Sequence, residues 1–154
     1  MDSSSKIDIL KEIQHELDIR KSWKPFFLSE FLSIEFDVSN SVLYCHWKGF
    51  QSEASVITGC EKMLEALPMF RCNKVLNDNT SVVGIWTPAA RWVVEDWFPR
   101  MMIAGLKKFA WIYSPSVFSQ VSTNEVLRLM DGNKMMKTFN NVPAGMQWLM
   151  TSGD

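Results

Sequence analysis

A cysteine beside a histidine is the first feature of this sequence that could do chemistry, because a histidine can activate a thiol as a nucleophile. Cys45 and His46 are neighbours along the chain. They fall in a predicted strand, where successive side chains point to opposite faces of a sheet, so the two side chains do not meet. The one other histidine, His15, belongs to the N-terminal segment. The sequence therefore predicts no cysteine–histidine catalytic pair.

Metal, carboxylate and phosphate chemistry have no recognisable motif either. The two histidines and three cysteines lack the close spacing of metal ligands, and the glycines are too isolated to form a phosphate loop. Glu95 and Asp96 are adjacent, but on a helix their side chains diverge by about 100°. Arg91 and Arg100 each lie four residues from one of these carboxylates, the spacing of surface ion pairs. We therefore expect no enzyme activity, no cofactor and no metal.

Composition and charge narrow the class of protein. The chain of 154 residues is 47% apolar and 21% charged, which is typical of one globular domain. Sixteen basic and seventeen acidic residues give a net charge of −1, so we expect no nucleic-acid partner. No apolar run reaches the ~18 residues of a membrane span, and the N-terminus lacks the order of a secretory signal. With an odd number of cysteines as well, these features predict a cytoplasmic protein that does not bind membranes.

Residues 1–22 are predicted to form an N-terminal amphipathic helix that begins at Ser5. Four apolar side chains share one stripe at about 100° per residue. They are Ile9, Leu10, Ile13 and Leu17. We expect this stripe to pack on the protein's own domain, and docking on a partner protein is the alternative.

Residues 30–150 are predicted to form one α/β domain. Alternating apolar residues over 32–38 and 42–47, separated by a polar turn, predict a β-hairpin. Strands then alternate with helices, which is typical of a single mixed sheet of about five strands with helices packed on it. The later strands are predicted at 74–76, 109–113 and 135–139, and the helices at 52–68, 87–105, 122–131 and 142–150.

Proline and capping residues set the predicted ends of these elements. Pro25 breaks the pattern before the hairpin, so irregular chain is expected there. Thr87 and Pro88 have the residue types of a helix start, with the threonine at the cap. Pro99 is expected to kink that helix. Residues 122–125 match a capping box in front of the following helix.

One candidate binding surface lies at the predicted ends of two strands. In open α/β sheets ligands bind at the carboxyl ends of neighbouring strands, and the free N–H groups at a helix start suit an anion. The alternative is that the same residues only cap and turn the chain. The candidates are Asn77, Asp78, Asn79, Thr80, Thr87, Tyr113 and Ser114.

Trp92 marks a second candidate surface. On the wheel of its helix it falls opposite the apolar side, between Glu95 and Asp96. A large aromatic side chain on a charged face indicates a contact outside the helix's own core. We expect either a subunit or partner interface there, or cover from the N-terminal helix or from residues 114–121.

The element order and four short segments carry a family resemblance. The segments are Trp47-Lys48-Gly49, Leu76-Asn77-Asp78-Asn79, 97–101 and 104–111. Together they resemble a small, uncharacterised bacterial branch of STAS-like proteins, whose fold is that of the sporulation anti-sigma-factor antagonists. This resemblance covers roughly residues 30–150. It implies a non-enzymatic module that binds another protein, sometimes switched by phosphorylation, although the Asp-Ser-Ser-Gly phosphorylation site of the antagonists is missing here.

Two hypotheses about function follow. The first is a protein-interaction or regulatory module with a STAS-like fold, which associates with itself as a homodimer and binds an unidentified protein partner. The second is a carrier that holds an apolar or acidic small molecule at the strand ends. The high content of tryptophan and methionine, seven and ten residues, favours the second.

Overall fold

Six strands form one mixed sheet in which their order in space is their order along the chain. The computed structural model describes residues 3–21 and 23–151, and the side chains of 18–21 are not among the described ones. The strands are β1 (Lys24–Leu28), β2 (Leu32–Asp37), β3 (Val42–Phe50), β4 (Lys74–Val83), β5 (Lys108–Ile112) and β6 (Met136–Phe139). β1, β2 and β3 pair antiparallel, and β3 to β6 pair parallel.

Helices precede the sheet, connect its parallel strands and follow the last strand. They are α1 (Ser3–Lys21), α2 (Glu53–Met69), α3 (Ala90–Trp92), α4 (Phe98–Ile103), α5 (Val117–Leu129) and α6 (Val142–Leu149). A 3₁₀ turn over Thr87–Ala89 leads into α3, and a π-helical turn over Val93–Trp97 joins α3 to α4. The predicted fold class is confirmed: an α/β protein with one mixed sheet, an opening hairpin, packed helices and an N-terminal helix.

The two faces of the sheet are covered unequally. One face carries the larger core, which α2, the α3–α4 segment and α5 share with β3, β4 and β5. The other face carries a small cluster in which α6 packs on β4, β5 and β6. The parallel strands follow one another in chain order. Right-handed crossovers between such strands place all the connecting helices on the same side of the sheet, which explains why that face carries the larger core.

The segment around Pro25 is a strand, and the prediction of irregular chain there is wrong. β1 pairs with β2 at the edge of the sheet, with an irregularity in register between Pro25 and Phe27. Proline donates no backbone hydrogen bond, so it is tolerated on an edge strand. Phe26 packs against Phe70 at the end of α2, which anchors this edge to the larger core.

The helix predicted from Thr87 begins differently from the expectation. The Thr87 hydroxyl pairs with Ser122 Oγ at 2.9 Å and does not cap the helix. The π-helical turn ends just before Pro99, and this widened turn accommodates the missing N–H of the proline that was expected to kink the helix. Gly105, at a φ of +113°, follows the end of α4 as predicted.

Residues 122–125 are not a helix cap. α5 begins earlier, with Ser116 at its cap, and 122–125 lie in its middle. Ser122 accepts a hydrogen bond from Trp86 N, and the Thr123 hydroxyl bonds to the Ser119 carbonyl. Inside a helix the Thr123 hydroxyl can donate to the carbonyl four residues earlier, and Ser122 serves a distant backbone N–H, so these residue types do not by themselves mark a helix start.

Over residues 3–17, the side chains of the N-terminal helix do not pack on the domain, contrary to the expectation. Every described side chain of α1, over residues 3–17, is exposed, including Leu10 and Leu17 of the predicted apolar stripe. None of the helices over residues 3–21 and 23–151 has the length and apolar character needed to cross a bilayer.

Candidate functional site

The polar stretch at the end of β4 belongs to the strand and is divided between the two faces of the sheet. β4 runs for ten residues, so the predicted loop at 77–81 is strand. Asn77 and Asn79 point toward α2 and line a cavity there, whereas Asp78 bonds to Tyr44 on the opposite face. The predicted cluster therefore forms two separate sites, because strand residues alternate between faces.

A bulge in β4 shapes the first of these sites. Between the pairs His46–Asp78 and Lys48–Ser81, β4 has one residue more than β3. Bulges of this kind are rare between parallel strands and re-aim side chains. Here the bulge lets Asn79 and Val82 both face the same cavity.

This cavity lies between the sheet and the helices, toward the carboxyl ends of β3, β4 and β5. Its walls are mainly aromatic and come from three strands, α2 and the π-helical turn. They include Trp47, Trp86, Trp97, Trp111 and Phe109, with the amides of Gln51, Asn77 and Asn79. The space open to the centre of a water molecule is about 30 Å³, two to three times the roughly 10–15 Å³ that one water requires. The cavity can therefore hold a few waters or a small ligand group. We call it the tryptophan cavity.

The aromatic walls hold one another in place. Trp86 and Trp111 stack at 5.8 Å between ring centroids with an interplanar angle of 10°. Phe109 packs against Trp111 at 5.8 Å and against Trp97 edge-on at 6.0 Å. Interlocked rings have few alternative rotamers, so this cavity is preformed.

The indole N–H groups around the cavity are not equally satisfied. Trp47 Nε1 donates to Asn77 Oδ1 at 2.8 Å, and Trp97 Nε1 donates to the Cys60 carbonyl at 2.7 Å. Trp111 is only 3% exposed, and its Nε1 has no hydrogen-bond partner among the described residues. A buried donor without a partner costs roughly 1–3 kcal/mol, so an acceptor that reached it would bind favourably.

The cavity walls carry no ionised side chain. The residues that line it are aromatic, aliphatic, amide or thiol side chains. Burial raises the pKa of the Cys60 thiol, and the neighbouring Glu61 carboxylate raises it further, so this wall residue stays a neutral thiol. Burial likewise raises the pKa of Cys45, whose side chain lies in the core away from His46, as expected.

On the opposite face, sequence reasoning missed a histidine–serine pair. His46 Nε2 lies 3.0 Å from Ser81 Oγ, at an exposed position. Asp78 is the register partner of His46, but its carboxylate accepts from the Tyr44 hydroxyl and from Thr80 N and Oγ1 at 3.0 and 2.7 Å. Because those bonds occupy the carboxylate, it does not orient the imidazole as a catalytic triad requires. Only the register of β3 against β4 reveals the pair.

The remaining predicted residues of the strand-end surface join elements together. Thr87 bonds to Ser122 in α5, and the Tyr113 hydroxyl bonds to Asn124 Oδ1 at 3.1 Å. Ser114 Oγ donates to the Val82 carbonyl and accepts from Ser116 N. These bonds attach the start of α5 to the end of β4, as the capping alternative predicts.

Trp92 is half-buried and packs against the larger core. The Arg100 guanidinium lies 5.9 Å from its ring centroid and is itself held by Glu61 and Asp96. α5 lies beside α3, and the expected cover of Trp92 by residues 114–121 stays a prediction.

The tryptophans of the cavity are the functional candidates that the sequence analysis did not single out. Their one signal is the alternation of Phe109 and Trp111 along β5. Over residues 3–21 and 23–151, no group of three or more acidic, histidine or cysteine side chains is placed to hold a metal ion. Comparisons of the chain with protein-family models, curated proteins and solved structures found no match.

Proposed function

We propose that this protein is a binding domain that holds a small uncharged ligand, or the uncharged end of a larger one, in the tryptophan cavity. The observation that carries the proposal is the preformed cavity, which Trp111 lines and whose wall thus includes a residue with a buried Nε1 that has no partner among the described residues. The ligand supplies the acceptor for that N–H. Cytoplasmic location is part of the proposal, supported by three free, buried cysteines, which suit a reducing compartment.

The chemistry of the cavity walls narrows the choice of ligand. The sequence had suggested either an apolar or an acidic ligand at the strand ends. Stacked indole rings favour a flat, apolar or aromatic group, and the amides of Asn77 and Asn79 can fix its orientation. A carboxylate would lose its hydration beside walls that offer no cation, at a large cost. This supports an apolar ligand over the acidic ligand that the sequence also allowed.

The protonated thiol in the cavity wall favours a binding function over nucleophilic catalysis in the tryptophan cavity. Cys60 is the one cysteine among the cavity-lining residues, and its raised pKa keeps it protonated. A thiol needs to ionise to act as a nucleophile.

Titration with a matched pair of very small ligands, followed on the indole N–H signals by NMR, tests this proposal. Formamide is flat and offers a neutral acceptor at a size of a few waters, and formate is its charged counterpart. We expect formamide to move the Trp111 N–H signal downfield and to bind about tenfold more tightly than formate. Trp111→Phe keeps the ring and removes the donor, so it should weaken formamide binding. Trp148→Phe, outside the cavity, is the control, and equal weakening in both variants would contradict the proposal.

A second candidate function, self-association, is favoured by one apolar surface. Phe50 and Val83, register partners at the ends of β3 and β4, are exposed, Phe50 by 80%. Ile85 and the outer side of α5 extend the surface, because Ser119 binds α5 to the Gly84 carbonyl at 2.7 Å. Its members are Phe50, Val83, Ile85, Val117, Phe118 and Val121.

We propose a second copy of the chain as the occupant of this apolar surface, because closed dimers bury the same patch from each protomer. That agrees with the interaction module that the STAS resemblance implies. Sedimentation velocity of Phe118→Ser should show a dimer converted to monomer. Ile103→Ser, at an even more exposed position outside this apolar surface, should leave the dimer intact. A wild-type monomer at all concentrations would exclude self-association.

A further inference from the structure

A second concave surface lies at the opposite end of the sheet from the tryptophan cavity. The first residues of β4, β5 and β6, the loop over 132–135 and the end of α6 form its walls. Measured in the same way as the cavity, it has about 1320 Å³ of space, enough for a ligand of many atoms. We call it the lysine groove.

Charge distinguishes this groove from the rest of the protein. Among the described residues, its lining contains five of the sixteen basic residues of a chain whose net charge is −1, and no aspartate or glutamate. The five are Lys74, Lys107, Lys108, Lys134 and Lys137. Like charges collected in a concave, low-dielectric surface focus a positive potential and attract anions.

Two of the five ammonium groups are held by neutral hydrogen-bond partners. Lys108 Nζ donates to the Thr151 carbonyl and hydroxyl, each at 2.8 Å, and Lys74 Nζ donates to the Asn40 carbonyl at 3.0 Å. Within the described part of the chain, none of the five lysines makes an ion pair, whereas Arg91, Arg100 and Arg128 do. The positive charge of the groove is therefore not neutralised by these contacts.

The register of the sheet places two of these charges side by side. Lys74 and Lys108 are direct partners across β4 and β5. Like charges at opposed positions destabilise a sheet, so the arrangement carries a cost that an anion bound between them would remove.

We propose that the lysine groove binds a soluble ligand that carries two or more phosphate groups. Lysine ammonium groups bind phosphate as point charges, and several of them spaced along a groove match several phosphates. The Trp148 ring already faces Lys108 and Lys137, at 5.3 and 5.4 Å from its centroid, so it is not offered to a stacking base. Recognition therefore rests on the phosphates, and the concave shape favours a soluble ligand over a flat membrane.

Isothermal titration calorimetry of the full chain with sodium tripolyphosphate tests the proposal. We expect tripolyphosphate to bind at least about tenfold more tightly than orthophosphate, and the affinity to fall as salt is raised. Lys107→Gln/Lys134→Gln, at two exposed groove positions, should weaken binding by about tenfold or more. Trp111→Phe should leave it unchanged, which separates this site from the tryptophan cavity.

The matched control is Lys11→Gln/Lys24→Gln, which removes the same charge from exposed positions outside the groove. It should change the affinity by less than about twofold. Equal losses in the two double variants would show that binding follows net charge alone and would overturn the proposal. So would an absence of tripolyphosphate binding, or binding seen only to vesicles that contain an anionic phospholipid.

Discussion

The tryptophan cavity and the lysine groove use the same side chain in opposite ways. In the cavity, Trp111 presents a buried N–H that needs an acceptor. In the groove, Trp148 presents its ring to the ammonium groups of Lys108 and Lys137. An indole is electropositive at its edge and electronegative on its faces. The orientation of an indole ring therefore determines which groups it attracts. Its N–H edge attracts neutral acceptors, and its face attracts cations.

The two regions also differ in how tightly they are packed. The cavity is small and lined by interlocked rings between the sheet, α2 and the π-helical turn, whereas the groove is much larger and lined by flexible side chains. A substitution that changes side-chain volume near the cavity should therefore lower the free energy of unfolding strongly. A substitution that changes charge in the groove should lower it only a little. Four predictions follow, from the largest expected effect to the smallest.

Gly59→Ala should destabilise the cavity wall most. A Cβ at this position in α2 would lie 2.3 Å from an atom of the Trp47 ring and 2.8 Å from Leu32 Cδ2, so buried groups must move. We expect the free energy of unfolding to fall by about 3 kcal/mol, measured by urea denaturation. Gly132→Ala, where a Cβ meets nothing within 4 Å, is a control that tests backbone strain alone, at a φ of +80°. A larger loss at Gly132 would contradict tight packing at the cavity.

Asn77→Ala should remove the partner of the Trp47 N–H. That bond is buried, so the indole donor loses its acceptor, and we expect a loss of about 2 kcal/mol in the free energy of unfolding. Asn73→Ala, at an exposed position of the groove, should change it by less than about 0.5 kcal/mol. Denaturation of both variants under one condition makes the comparison. Equal effects would indicate that water in the cavity replaces the amide.

Mild alkali should destabilise the protein through its buried thiols. Burial raises the pKa of Cys45 and of Cys60, so the folded state keeps both protons above the ordinary thiol pKa of about 8.5, where the unfolded chain releases them. The stabilising contribution of each thiol is complete below that pH and is lost above it, by about 1.4 kcal/mol per pH unit. Unfolding free energies measured from pH 7 to 9.5 should show this fall. Burial also raises the pKa of Cys72, so three thiols contribute to this fall. The slope above pH 8.5 should decrease by about a third in Cys60→Ala, and an unchanged slope would contradict the assignment.

Trp148→Phe should have the smallest effect. Phenylalanine keeps a ring against Phe139 but attracts the two ammonium groups less strongly, so we expect a loss of about 0.5 kcal/mol. In a Lys108→Met/Lys137→Met background the same substitution should be neutral. This double-mutant cycle isolates the ring–cation term, and a coupling of zero would show that the lysines only lie near the ring.

Local patterns predicted the elements better than they predicted the sites. Alternating side chains over 32–38 gave the hairpin correctly, because one face of β2 is buried. The polar residues 77–79 suggested a loop because sequence cannot show that Trp47 and Tyr44 would supply their partners from β3. The edge strand around Pro25 was missed for a similar reason. Only the pairing with the neighbouring strand shows which backbone N–H groups must donate hydrogen bonds, and therefore where a proline is tolerated.

Both proposed binding sites depend on strand register, which sequence does not reveal. The cavity forms where the bulge of β4 meets Trp47 and where β5 places Trp111 beside Trp86. The groove forms where Lys74 meets Lys108 across two strands. The net charge of −1 gave no indication of the groove, because it sums basic and acidic residues that the fold places on different surfaces. Trp92 was singled out by its position on a helical wheel, but its side chain packs against the larger core and lies near the Arg100 guanidinium.

The sequential order of the six strands has a consequence for synthesis on the ribosome. Each new strand pairs with the strand made just before it, so no strand has to wait for a distant part of the chain. The sheet can therefore grow from β1 to β6 as the chain emerges, with one growing edge at a time. Connections that remain local in sequence close short loops and favour rapid folding. Short exposure of unpaired edges also limits aggregation of the incomplete chain.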